Sequence, residues 1–250
     1  MAKSGGSRGQ PGRPGPSRRP PRSDAAPRRS AKPAAAKGVD KNAKTLPPPR
    51  VPMPPTFVLG AIPGATPGGW IDAWRERMPD TDLELHPIAF STQREELLGG
   101  GLDAALVRLP IDGDALSVIP LYDEVAVVVC SADSHLTAAE ELELSDLAGE
   151  VALVPRDDVL ALEIPGAVAA SFEPPNDTEQ AIATVAAGVG IVVVPMSLAR
   201  LHRRKDTAYR PLRDVLPSTV ALAWPADRTT PGVEAFVGIV RGRTPNSSRT

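Results

Sequence analysis

Two stretches of the chain share one design, in which an amphipathic helix runs into glycine and then into an almost uninterrupted apolar strand. The first covers residues 97–110 (LLGGGLDAALVRLP) and the second covers residues 182–195 (IATVAAGVGIVVVP). A strand that is apolar on both faces is typical of a parallel sheet covered by helices, because neither face then meets water. The repeat therefore predicts an α/β fold with two halves and a ligand crevice between them.

The first 55 residues have a composition that cannot build such a core. They contain 13 prolines, and residues 1–50 carry 13 Lys or Arg against two Asp, a net charge of +11 beside −13 for the remainder. Ordering costs roughly 1–2 kcal/mol per residue, which few large apolar side chains are present to offset. We expect residues 1–55 to form a disordered basic arm and residues 241–250 a disordered tail.

The basic arm leaves two interpretations open. It can serve solubility alone, or it can make weak, non-specific contact with nucleic acid through residues 1–50, since the acidic body would repel phosphates. The longest proline-free run in the arm, residues 34–46, contains Gly38 and has no periodicity that could pack a helix-turn-helix.

Several classes of function find no support in the sequence. Cys130 is the single cysteine and lies in an apolar run, so we expect a buried, inert thiol rather than a disulfide, a zinc ligand or a nucleophile. The three histidines lack metal-ligand spacing, and no serine-hydrolase elbow, P-loop or zinc-protease motif is present. We therefore expect no catalytic residue, metal or cofactor. Without a secretory apolar segment or a membrane-length apolar run, a cytoplasmic location is expected.

The remaining pattern predicts the order of the elements. Residues 57–62, 83–88 and 102–109 read as strands with helices between them, and residues 125–130 as a fourth strand of the first half. An acidic helix over residues 134–147 and a strand over 168–172 are expected in the second half. A strand over 218–224 and a helix over 232–240 then return to the first half.

Three of the predicted helices begin with capping residues directly after a strand. The candidate caps are Thr66, Ser91 with Thr92, and Asp177 with Thr178. The helix beginnings should therefore converge on one side of the sheets, where a positive dipole end attracts an anion by roughly 0.3–1 kcal/mol each.

Three stretches carry a resemblance to the effector-binding domain of LysR-type transcriptional regulators. They are residues 100–107 (GGLDAALV), residues 120–124 (PLYDE) with 134–136 (SHL), and residues 187–191 (AGVGI) closing at Pro195. The resemblance extends over about residues 57–240.

The resemblance implies a two-lobed fold like that of a type II periplasmic binding protein. Each lobe would hold a mainly parallel sheet with helices on both faces, and two crossover strands would join the lobes. Lobe I would comprise residues 57–129 with 218–240, and lobe II residues 130–217. Such a domain closes on a small, often anionic effector, pairs side by side with a second copy and serves transcriptional regulation.

The resemblance also implies which residues face the effector. By position they are Gly64, Thr66, Ser91, Thr92, Pro155, Arg156, Asp177 and Thr178, with Arg108 near the rim of the pocket. The winged helix-turn-helix of such regulators has no counterpart in this sequence. The leading hypothesis is therefore a sensor without its own DNA reader. The alternatives are a nucleic-acid-associated protein that binds through its basic arm and, with the least support, an enzyme.

Overall fold

The structure, a computed structural model, describes residues 54–242, and a five-stranded sheet organises the first part of that range. Its strands are β1 (Thr56–Ala61), β2 (Asp82–Pro87), β3 (Ala104–Arg108), β4 (Leu116–Glu124) and, from the end of the range, β10 (Ser218–Pro225). The order is β2-β1-β3-β10-β4, in which β1 is parallel to β2 and β3 while β10 is antiparallel to β3 and β4.

A second sheet has three strands in the order β8-β5-β9. They are β5 (Ala126–Ser131), β8 (Val192–Pro195) and β9 (Thr207–Pro211), and β5 is antiparallel to both neighbours. The short strands β6 (Val151–Ala152) and β7 (Val168–Ala169) pair in parallel beside it. The chain crosses between the sheets at Val125 and returns between Pro211 and Ser218. We call the parts built on the first and second sheets the first and second lobes.

Five α-helices connect the strands within the described range. They are α1 (Gly68–Arg77), α2 (Gln93–Leu98), α3 (Thr178–Ala186), α4 (Met196–Leu201) and α5 (Pro231–Val240). Three 3-10 turns lie at Phe90–Thr92, His135–Ala138 and Leu144–Leu147. None of these helices is long and apolar enough to cross a membrane.

Each sheet buries side chains on both faces, which explains the continuous apolar strands. In β5, Val127 and Val129 pack on the side of α3, whereas Val128 and Cys130 pack on the opposite side. In the first lobe the ring of Phe57 stacks on that of Trp74 with a centroid distance of 4.6 Å. The two-faced burial that the sequence predicted is thus present, but in the second sheet it accompanies antiparallel pairing.

Strand direction and strand membership differ from expectation in the second sheet. The strand predicted over residues 125–130 as part of the first half is β5, the centre of the second sheet. It follows β4 after one residue, Val125, so the chain enters the second sheet without the helical crossover that a parallel pair needs.

The acidic helix predicted over residues 134–147 is absent, and two 3-10 turns take its place. The guanidinium of Arg210 on β9 donates hydrogen bonds to the carbonyls of Thr137 and Ala139, which a helix would have used internally. The strand predicted over 168–172 is limited to Val168–Ala169. The arm and the tail lie outside the described residues, except at 54–55 and 241–242.

Gly188 and Gly190 allow a matched test of whether the chain before β8 packs closely against the backbone of β6. Gly188 and Gly190 both have positive φ, but only at Gly190 would a Cβ atom overlap the carbonyl oxygen of Val151. We expect Gly188→Ala to cost about 1 kcal/mol of unfolding free energy through φ strain, and Gly190→Ala about 2–3 kcal/mol more through overlap. Urea denaturation measures both, and equal costs would contradict this packing of the loop against β6.

Candidate functional site between the lobes

A cavity of about 340 Å³ lies between the two lobes, and we call it the cleft cavity. The first lobe supplies the residues that follow β1 and β2 and one from β3: Ile62, Pro63, Ala89, Phe90 and Arg108. The second lobe supplies the beginning of α3, the loop after β6 and the helix α4: Asp157, Val159, Asp177, Glu179, Leu198, Leu201 and His202. Both lobes therefore contribute about equally to its wall.

A second cavity of about 660 Å³, the hinge cavity, lies where the chain crosses between the sheets. Its wall contains Gly64, Ala65 and Thr66 after β1, Tyr122–Val125 at the crossing, and Met196, Ser197, Arg200 and Leu201 of α4. Leu201 lines both cavities and is 56% exposed. The beginning of α4 lines the hinge cavity and that of α3 lines the cleft cavity, whereas the first residues of α1 and α2 line neither. Of the three helices that the sequence predicted to converge, α3 alone begins at the wall of the cleft cavity.

A buried ion pair joins one residue of each cavity wall. Nη2 of Arg108 lies 2.8 Å from Oε2 of Glu124, with only 1% and 9% of the two side chains exposed. Nη1 of Arg108 donates to Oγ of Ser218 at 2.8 Å, and Oγ of Ser197 donates to the same Glu124 oxygen at 2.8 Å. Four elements, β3, β4, β10 and α4, therefore meet at one pair of charges.

The position of the ion pair connects the cavities to the two crossing points of the chain. Arg108 is part of the cleft cavity wall and Glu124 is part of the hinge cavity wall. Glu124 ends β4 just before the first crossing, and Ser218 begins β10 just after the second. Ser197 belongs to the second lobe, so its hydrogen bond to Glu124 links the lobes directly.

Gly64 and Gln93 support this arrangement from the first lobe. A Cβ atom at Gly64 would overlap the side chain of Ser197, so the loop after β1 lies directly against α4. The side chain of Gln93 bonds both the N–H and the carbonyl of Arg108, each at 2.9 Å. The end of β3 is thereby fixed at the wall of the cleft cavity.

Tyr122 gives the hinge cavity a neutral hydroxyl. Burial raises the pKa of its phenol above the ordinary value, the charge of Glu124 raises it further, and the charge of Arg108 partly opposes both. The phenol therefore stays protonated near neutral pH and remains a hydrogen-bond donor.

The charged groups on the cleft cavity are mostly carboxylates. Oδ1 of Asp157 accepts from Oγ1 of Thr178 at 3.0 Å, and Oδ1 of Asp177 accepts from the N–H of Gln180 at 2.7 Å. Within residues 54–242, no ion pair joins Asp157, Asp177 or Glu179 to a basic side chain. The same range holds no group of three or more His, Cys, Asp or Glu that could bind a metal.

The structure divides the predicted site residues into three sets. Arg108 and Asp177 line the cleft cavity, and Gly64 and Thr66 line the hinge cavity. The other five line neither: Ser91, Thr92, Pro155, Arg156 and Thr178.

Residues close to these five in the sequence line the cleft cavity instead. Ala89 and Phe90 face the cavity after β2, whereas Ser91 is exposed in the 3-10 turn. Asp157 faces it after β6, whereas Arg156 is exposed and its Nη2 lies 3.7 Å from Glu173. Thr178 is buried at the beginning of α3 and orients Asp157.

Only one of the three predicted caps forms. Asp177 caps α3, as expected. Pro67 occupies the cap position of α1, where Thr66 was expected, and no side chain bonds the first turn there. The hydroxyl of Thr92 donates to the side chain of Glu96 and accepts no bond from the first turn of α2.

Sequence reasoning missed the residues of α4 and the crossing. The helix α4 holds Leu198 and Leu201, and His202 follows it directly. The helix begins immediately after β8, and the apolar pattern alone did not distinguish it from the basic residues that come next. Glu124 was read only as part of the PLYDE stretch. A carboxylate flanked by two apolar strands was the available signal, since burial requires a partner.

The family model of the LysR substrate binding domain matches residues 53–245. The chain belongs to this family. Among its relatives, the Hca operon transcriptional activator HcaR of Escherichia coli (strain K12) is 28% identical over 181 residues, 68% of this chain and 60% of that protein. The transcriptional regulator CatR of Pseudomonas putida is 35% identical over 151 residues, 56% of this chain and 52% of that protein. The chain thus spans little more than half the length of these relatives.

Solved structures of LysR effector-binding domains confirm the two-lobed α/β fold. The reduced regulatory domain of OxyR from Pseudomonas aeruginosa has 27% identity and a TM-score of 0.58, over 74% of this chain and 94% of that one. The effector-binding domain of BenM with its effector benzoate has 22% identity and a TM-score of 0.63, over 75% and 90%. The relatives are transcriptional regulators, which confirms the interpretation that this LysR domain is not an enzyme.

The ion pair of this LysR domain generates a stability prediction. Glu124→Gln leaves the Arg108 charge buried without its counter-ion, so we expect a loss of about 3–5 kcal/mol in the free energy of unfolding. Asp123→Asn is the control, because Asp123 is exposed and bonds only the hydroxyl of Thr219. Urea denaturation measures both, and a cost for Glu124→Gln no larger than that of the control would contradict the role of the pair.

The burial of Cys130 generates a second prediction. Its side chain is fully buried, and burial raises the pKa of the thiol above its ordinary value, so very little thiolate forms near neutral pH. We expect no reaction of the native protein with a disulfide reagent or hydrogen peroxide at pH 7.5, and stoichiometric reaction after unfolding in urea. Rapid labelling of the native protein would show that β5 opens readily.

Proposed function

We propose that this chain is the ligand-sensing part of a transcriptional regulator, and that a small-molecule effector binds in the cleft cavity. The observation that carries the proposal is the wall of that cavity, to which both lobes of a LysR effector-binding fold contribute. A ligand that contacts both lobes at once favours the arrangement in which both contacts are made.

The size and lining of the cleft cavity limit the effector. About 340 Å³ is at the small end of ligand sites, which occupy roughly 300–1,000 Å³. Ile62, Phe90 and Leu198 supply apolar surface. The polar side chains are Arg108 from the first lobe and Asp157, Asp177, Glu179 and His202 from the second. These features favour a compact molecule with an apolar body of about one ring.

The ion pair supplies a route from the cavity to the crossing points. An effector that contacts Arg108 acts on a side chain bonded to Glu124 and Ser218, which lie beside the two crossings. A small movement of Arg108 therefore changes the contacts that set the angle between the lobes. Interlobe closure is the signal that this geometry can transmit.

The groups on the cavity wall do not match the effector charge that the resemblance implied. The resemblance implied an anion, which needs an available cation or free backbone donors in the cavity. Arg108 is already paired with Glu124, and Asp177 already caps α3. Arg108 and the Asp177 cap position are therefore both occupied by groups of the protein itself.

We also propose that the protein is cytoplasmic and that two copies of it pair. The exposed edge strand β2 and the exposed strand β7, with Val168 51% exposed, leave surface on which a second copy can pack. Sedimentation of the protein tests the pairing. The contact of residues 1–50 with nucleic acid stays a prediction from the sequence, because that segment lies outside the described residues.

A cavity-filling substitution tests the site of binding. Ala89 is exposed at the mouth of the cleft cavity, so Ala89→Trp should fill it and abolish binding of any effector found by thermal-shift screening of small metabolites. An effector at a hundredfold excess over its Kd stabilises the unaltered protein by about 2.7 kcal/mol, a shift that the variant should lose.

The matched control is Ala226→Trp, at an exposed alanine in the turn after β10 that lines neither cavity. It should keep the full ligand-induced shift, and both variants should keep nearly the stability of the unaltered protein without ligand. Retention of the shift in Ala89→Trp would place binding outside the cleft cavity.

A further inference from the structure

The cleft cavity carries an excess of negative charge on its wall. Asp157, Asp177 and Glu179 of the second lobe line it, and no basic side chain within residues 54–242 forms an ion pair with them. The guanidinium on the opposite wall, Arg108, is neutralised by Glu124 at 2.8 Å. The wall thus presents three carboxylates without an ion-pair partner among the described residues, and the imidazole of His202 is its other basic group.

A carboxylate of the protein itself already lies at the beginning of α3. The carboxylate of Asp177 accepts the N–H of Gln180 at 2.7 Å, and the side chain of Gln180 accepts the N–H of Asn176 at 2.7 Å. The first of these bonds uses one of the backbone donors through which a helix beginning holds an anion. An added carboxylate would instead lie beside Asp177 and Glu179 and be repelled.

Beside Arg108, the first-lobe wall holds apolar side chains and an aromatic ring. Ile62, Ala89 and Phe90 lie across the cavity from the carboxylates. Phe90 is part-buried in the 3-10 turn before α2, so its ring is available to a ligand on the cavity side. An aromatic face opposite carboxylates is a combination that attracts ammonium groups through the ring quadrupole and the opposite charges together.

We infer that the effector is a small organic cation, with an apolar body against Phe90 and an amine at Asp177 and Glu179. The inference rests on the proposed function of the cleft cavity as the effector site. It replaces the anionic effector that the resemblance implied. Asp157 supports the same end of the cavity, since its carboxylate is oriented by Thr178.

Matched pairs of amines and acids test this inference on the full chain. The probes are benzylamine with benzoate, 2-phenylethylamine with phenylacetate, and cyclohexylamine with cyclohexanecarboxylate, with benzyl alcohol as the neutral reference. Thermal shift and titration calorimetry at constant ionic strength measure binding. We expect amines to bind at least about tenfold more tightly than their acid partners.

Two conservative variants and one control assign the preference to the cavity. Glu179→Gln removes an exposed carboxylate without a hydrogen bond to replace, and Asp177→Asn keeps a side chain that caps helices equally well. Each should lower amine affinity by about three- to tenfold. Glu234→Gln changes an exposed carboxylate in the first turn of α5, which lines neither cavity, and should change nothing.

The outcomes separate the inference from the proposed function. Tighter binding of the acids, or equal binding of both series, overturns the cationic effector and leaves the sensor in place. An amine preference that survives in Glu179→Gln and Asp177→Asn also overturns it, because the attraction then comes from the acidic surface as a whole. If no probe, charged or neutral, binds at millimolar concentration, both the cationic effector and the effector site are overturned.

Discussion

The buried ion pair between Arg108 and Glu124 is the interaction on which the rest of this structure depends. Taking two charges out of water is costly, and the cost is offset only when the geometry is good and the remaining donors and acceptors are satisfied. Here Ser218, Ser197 and the 2.8 Å contact between the charged atoms meet those conditions. The pair therefore fixes β3, β4, β10 and α4 relative to one another.

The path of the chain explains why the pair lies where it does. The polypeptide crosses from the first sheet to the second through Val125 and returns between Pro211 and Ser218. Glu124 and Ser218 are the first-lobe residues that flank these crossings, so their shared partner, Arg108, connects both. Arg108 lines the cleft cavity and Glu124 lines the hinge cavity, so the pair connects the walls of both.

Sequence patterns predicted the fold because burial on both faces of a sheet leaves a strong signal. Residues 102–109 and 191–194 read as apolar strands, and the structure has strands over residues 104–108 and 192–195. The direction of β5 was missed, since an apolar strand has the same composition in parallel and antiparallel pairing. The prediction of a helix over residues 134–147 was wrong because Arg210, which binds the carbonyls there, lies more than 60 residues away in the sequence.

The candidate site was predictable as a place but not residue by residue. The helix α3 does begin at the wall of the cleft cavity, and Asp177 caps it there. Which neighbour faces the cavity depends on the turn of each loop, so Phe90 and Asp157 line it where Ser91 and Arg156 were expected. Which carboxylates line the cleft cavity becomes evident only when the loops are placed in three dimensions.

The central claim is that an effector binds between the lobes, in contact with both. A crystal structure of the protein with a compound that stabilises it tests this most directly. The account predicts electron density for the compound between Phe90 of the first lobe and Glu179 of the second. Density confined to one lobe, or to the hinge cavity alone, would contradict it.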